Sequence, residues 1–98
     1  MEIMLTAREK FILGKAIEAY GLKTQLSILQ EEAAELIAAI SHVARGREKS
    51  HSEMIEEMAD VLVVLCQMSL FYNNDIMFHF NRKLERLKKR LNNTGAHE

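Results

Sequence analysis

The chain has 98 residues, 13 Lys and Arg against 14 Asp and Glu, a formal net charge of −1, four glycines, one cysteine and no proline. That length allows one domain, with a core completed between copies of the chain where one copy cannot close it. The balanced charge gives no global reason to bind nucleic acid or an anionic membrane surface, and a single cysteine excludes an internal disulfide framework.

With 48% hydrophobic residues and Ala, Leu, Ile, Glu and Lys dominant, the composition favours helix throughout. Thr6 and Glu9 have the spacing of a capping box, so a first helix runs from there to Tyr20 and stops at Gly21. A second helix is expected from about Thr24 to Ala44. Its Leu26, Leu29, Ala33, Leu36, Ile37, Ile40 and Ala44 fall in a stripe about 100° wide. "RGREKSHS" (45–52) reads as a loop, with Gly46 as the stop signal. Ser50 and Glu53 repeat the capping-box spacing for a third helix, from about His51 to Tyr72. "NND" (73–75) breaks the chain, and Asp75 is placed to cap a fourth helix reaching about Leu91. In that helix Phe80, Leu84, Leu87 and Leu91 form a packing seam.

Short connections between antiparallel helices predict an all-α fold: an antiparallel four-helix bundle over residues 1–92 that completes its core by oligomerisation, with 93–98 as a flexible tail. The longest apolar run, Val61–Cys66, is too short to span a bilayer. "MEIMLTAREKF" lacks the basic-then-apolar order of a signal peptide, so the expected location is cytoplasmic.

The acidic residues are distributed unevenly. In "QEEAAELIAAI" (30–40), Glu32 and Glu35 lie about 60° apart around the helix axis, so their carboxylates can converge, while Glu31 points further from the apolar stripe. The third helix is apolar around most of its circumference, which predicts a central, largely buried element. Its polar groups keep to one strip: Glu53, Glu56, Glu57, Asp60 and Gln67. Glu57 and Asp60 repeat the spacing of Glu32 and Glu35. Two carboxylate pairs on neighbouring antiparallel helices repel unless neutralised, and oxygen-only ligands suit a hard cation, Mg²⁺ or Mn²⁺. For each glutamate alone a solvated charge is the stronger reading; the matched pairs favour the metal. A di-iron carboxylate bundle needs Glu-x-x-His on two helices, and the one match, Glu48–His51, lies at a loop and a helix start.

Six of the Lys and Arg residues crowd into "RKLERLKKR" (82–90). His79, Lys83, Arg86 and Arg90 occupy one strip of the fourth helix. The helix dipole explains cations in the last turn but not Lys83 in mid-helix. Cations near a metal-loaded acidic site suit a polyphosphate.

"EEAAEL" (31–36) followed by "EEMADVLVVL" (56–65) resembles the E-E-x-x-E … E-x-x-D signature of the MazG-type, all-α nucleoside triphosphate pyrophosphohydrolases. "YGLKTQLSILQEE" (20–32) is similar to the family's aromatic-Gly…Gln lead-in, and "NRKLERLKKR" (81–90) to its terminal Asn…Lys…Arg segment. The resemblance implies Mg²⁺-dependent hydrolysis of nucleoside triphosphates to monophosphate and pyrophosphate, with Mn²⁺ as a substitute, by a homodimer or homotetramer. It implies Glu32, Glu35, Glu57 and Asp60 as metal ligands and Glu31, Glu32 or Glu35 as the group that takes the water proton. It implies Gln25 as a substrate contact, and Lys83 and Arg86 as phosphate contacts, supplied by the same or a neighbouring subunit. No nucleic acid or membrane partner is expected. The alternative is a catalytically silent nucleotide-binding or helical oligomerisation module. Cys66 reads as core, Phe71, Tyr72, Phe78 and Phe80 as packing residues or a base pocket, and His42 and His51 as exposed loop flanks.

Overall fold

The computed structural model describes residues 5–73 and 75–94, in four helices: α1 (Ala7–Tyr20), α2 (Leu22–Ala44), α3 (Ser50–Phe71) and α4 (Asp75–Asn93). No strand occurs among the described residues, and no described helix is long and apolar enough to cross a membrane. The expected all-α architecture is therefore present. The start of the expected domain (1–4) and the end of the expected tail (95–98) lie outside the described residues.

The capping box of α1 forms as expected: the Thr6 hydroxyl accepts from the Glu9 amide at 3.1 Å, and the Glu9 carboxylate accepts from the Thr6 amide at 2.7 Å. Gly21, at φ 83°, both ends α1 and opens α2. Its amide donates to Ile17 and its carbonyl accepts from Gln25, so one left-handed residue joins two helices and α2 starts two residues earlier than expected.

The other expected caps differ. Ser50 is the first residue inside α3, not its cap; it is buried, and its hydroxyl donates to the Arg47 carbonyl. The cap position falls to Lys49, in the left-handed region at φ 64°, and the Ser50–Glu53 box does not form. A turn through Gly46 (φ 70°) draws the Ser50 side chain back toward the loop, away from the Glu53 amide. Asp75 likewise is the first residue of α4, and that helix continues two residues past Leu91.

The packing is layered around α3. It pairs along its length with α2 as an antiparallel hairpin, takes α1 on another side and meets α4. Buried residues concentrate where three helices meet, at Val64, Cys66, Gln67, Met68 and Ser69. The stretch of α3 before its buried cluster is not covered as its apolar circumference led one to expect: Ile55 is 61% exposed and Leu62 55%. On α2, Ile37 is 68% exposed. The α4 seam of Phe80, Leu84, Leu87 and Leu91 is exposed as well. A radius of gyration of 16.4 Å, against about 13 Å for a compact chain of this length, fits this open arrangement.

Candidate metal and nucleotide site

The α2–α3 hairpin brings the two acidic pairs face to face. Carboxylate oxygens of Glu32, Glu35 and Glu57 lie within 4.8 Å of one another. Asp60 is within hydrogen-bonding reach of Glu32, and Glu35 of Glu57. With all four ionised there is no proton to share, and one oxygen each of Glu32 and Glu57 (Oε2) is enclosed with no hydrogen-bond partner. Burial, then the charges of Glu35, Asp60 and Glu31, raises the proton affinity of Glu32 above the ordinary glutamate value. Burial, then Glu35, with smaller contributions from Asp60 and Glu32, does the same for Glu57.

This donor set fits a hard cation. Three carboxylates converging from two helices, two of them with an enclosed oxygen that lacks a hydrogen-bond partner, are what a divalent ion would satisfy without an added proton. Glu31 is exposed and outside the converging set, in line with its outward angle on the helix.

The cluster opens into a groove of about 250 Å³ lined by Glu35, Ala38, Ala39, His42, Glu53, Glu56 and Glu57. The alanines leave room where larger side chains would fill the hairpin. His42 belongs to this groove rather than to a solvated loop flank. The signal was its position seven residues, two turns, after Glu35 on the same helical strip.

The other expected residues lie elsewhere in the protomer. Gln25 is 3% exposed and donates its amide to the Gln67 carboxamide oxygen at 2.6 Å; Gln67 is 5% exposed. Lys83 lines an apolar pocket at the α3–α4 elbow with Tyr72, Asp75, Ile76, His79 and Phe80. Arg86 lies further along α4 with Arg82, Glu85 and Lys89. Neither cation lines the acidic groove of its own chain. Cys66 is buried, as expected, and burial pushes its thiol up, away from the reactive thiolate.

No curated protein and no solved structure gives a significant match to the chain. The family model described as the MazG nucleotide pyrophosphohydrolase domain, by contrast, matches residues 21–95, which includes both acidic pairs and the basic strip of α4. With three-quarters of its length under that match and an acidic cluster on two paired helices, the chain belongs to the MazG nucleotide pyrophosphohydrolase family.

Proposed function

We propose that the protein hydrolyses nucleoside triphosphates, canonical or modified, to the monophosphate and pyrophosphate, in an Mg²⁺-dependent reaction for which Mn²⁺ can substitute. The observation that carries this reading is the convergence of Glu32, Glu35 and Glu57 with two enclosed oxygens lacking partners. Glu32, Glu35, Glu57 and Asp60 would hold the cation. When bound, the ion supplies charge neutralisation at the phosphates and lowers the pKa of a coordinated water.

The protein's own residues do the rest. The two helices hold the carboxylates in place before substrate arrives, so little reorganisation accompanies the reaction. The water proton passes to Glu31, Glu32 or Glu35; Glu31, outside the converging set, has no competing duty as a ligand. Lys83 and Arg86 bind phosphate oxygens by charge-assisted hydrogen bonds. Because neither lines its own chain's groove, they serve the site of a neighbouring copy.

Homo-oligomerisation is part of this reading. Leu26, Ile37 and Ile40 on α2, and Ile55, Met58, Leu62 and Leu65 on α3, expose apolar surface. At 100° per residue these lie on the flank of the hairpin opposite Glu35, Glu53 and Glu56, so a second copy can cover them without blocking the acidic groove. A homodimer or homotetramer in the cytoplasm would satisfy both needs.

The test is product analysis over a panel of (d)NTPs with Mg²⁺ and with chelator. Monophosphate and pyrophosphate are expected in the presence of metal alone. No turnover of any nucleotide, with metal-independent melting, would replace this reading by a silent helical module. A companion prediction concerns the cations. Lys83→Ala and Arg86→Ala should each raise KM about 10- to 100-fold, the value of a charge-assisted hydrogen bond, while leaving Mn²⁺ affinity unchanged. Mixing Glu57→Gln subunits with Lys83→Ala/Arg86→Ala subunits should restore part of the activity that neither has alone.

A further inference from the structure

The acidic cluster and the buried amide pair lie on one ladder of the α2–α3 hairpin. Three rungs are fixed by contact: Glu35 against Glu57, Glu32 against Asp60, and Gln25 against Gln67. Gln25 precedes Glu32 by seven residues and Gln67 follows Asp60 by seven. That is two helical turns, about 10 Å, on each helix. The register places Ile28 opposite Val64 on the rung between.

The acidic rungs alone do not define this alignment. Glu53, Glu56, Glu57 and Asp60 offer an acid at every turn of α3. Sliding α3 by four residues would set Glu35 against Glu53 and Glu32 against Glu56, again two acidic rungs, and the exposed Asp60 could turn to solvent. The amides do discriminate. The same slide carries Gln25 to Val63 and Gln67 to Gly21, leaving two buried carboxamides without partners, which costs more than the bond itself gains.

The pair also has a visible cost in the observed register. Gln25 Oε1 is enclosed and has no hydrogen-bond partner. Two leucines would fill the space with no orphaned oxygen, so the amides trade packing for a defined alignment. A buried polar residue in a helix seam fixes register in coiled coils by the same trade.

We infer that Gln25 and Gln67 form a register lock, positioning α3 on α2 so that Glu32, Glu35, Glu57 and Asp60 meet. They are positioning residues: they act through the carboxylates and do not touch substrate. The functional consequence rests on the metal reading above; the alignment itself does not.

The experiment compares the full chain with Gln25→Leu/Gln67→Leu, titrating Mn²⁺ alone. It adds spin labels at the exposed positions 30 and 59 to measure the α2–α3 distance distribution. The double variant is expected to keep its helix content and to melt, metal-free, no lower than the parent. It should bind Mn²⁺ at least tenfold more weakly, with a broadened distance distribution. Gln67→Leu alone should melt lower, because it strands the Gln25 amide. If the double variant does not fold, Gln67→Asn, which keeps the amide and shortens its reach, gives the same comparison. Parental Mn²⁺ affinity with an unbroadened distance overturns the lock. So does a changed nucleotide preference at unchanged Mn²⁺ affinity, which would make the amides substrate contacts. If the parent protein itself takes up no Mn²⁺, the metal reading fails and the distance distribution alone decides the lock.

Discussion

Replacing Glu57 by glutamine, or Asp60 by asparagine, is expected to reduce pyrophosphate release more than about 100-fold, beyond what loss of an outer contact to a metal site costs, while helix content stays at the parental level. Glu57 contributes one of the three converging oxygens, and its Oε2 is enclosed without a hydrogen-bond partner. A neutral amide keeps the shape, removes the charge and presents N–H where a cation needs an oxygen. The stability of the variant should move the other way from its activity. In the metal-free protein Glu57 faces Glu35, Asp60 and Glu32, so the substitution removes like-charge repulsion and should raise the melting temperature at neutral pH. Lost activity in a more stable protein separates a site residue from a structural one. Circular dichroism and a coupled pyrophosphate assay on the same samples check both halves. Retained activity would remove Glu57 and Asp60 from the reaction.

The second large effect is a reversal of the pH dependence of stability on adding metal. Glu32 and Glu57 have proton affinities raised above the ordinary value of 4.5. The folded state therefore binds more protons than the unfolded state between that value and the raised ones. Across that window the metal-free protein loses stability as pH rises. Metal binding needs the deprotonated carboxylates, so the rise in melting temperature produced by Mg²⁺ or Mn²⁺ should grow with pH over the same window. A cation at a hundredfold excess over its Kd should stabilise by about 2.7 kcal/mol. Glu9, held below the ordinary value by the Thr6 amide and hydroxyl, acts in the opposite sense and loses its contribution as pH falls. The readout is therefore the difference between parent and Glu57→Gln melting curves, with and without metal. A metal increment independent of pH would place the cation away from these carboxylates.

Much of the site could be read from spacing alone, because it depends on helical periodicity. Glu32, Glu35, Glu57 and Asp60 stand at i, i+3 on two amphipathic helices joined by a short loop, and such a hairpin brings equivalent faces together. What spacing does not carry is side-chain competition at helix ends. Ser50 had the right neighbours for a cap, yet its hydroxyl turned to Arg47 because the Gly46 turn brought that carbonyl closer. Spacing also does not reveal which polar group meets which. Gln25 reads from the sequence as a substrate contact, and the structure pairs its amide with Gln67 across the hairpin. The clue was the equal seven-residue offset from Glu32 and Asp60. The placement of α4 was the least legible feature. Its apolar seam is as regular as any in the chain, but a seam reports that something packs there, not whether the partner is its own protomer.

In the proposed mechanism the α2–α3 hairpin holds a divalent cation between its two carboxylate pairs. Calorimetric titration of Mn²⁺ into the metal-free 98-residue chain tests it without recourse to any substrate. Saturable binding is predicted for the parent, at least tenfold weaker binding for Glu57→Gln and Asp60→Asn, and unaltered binding for Lys83→Ala. Equal affinity in the parent and both carboxylate variants, or no binding by the parent, would contradict it.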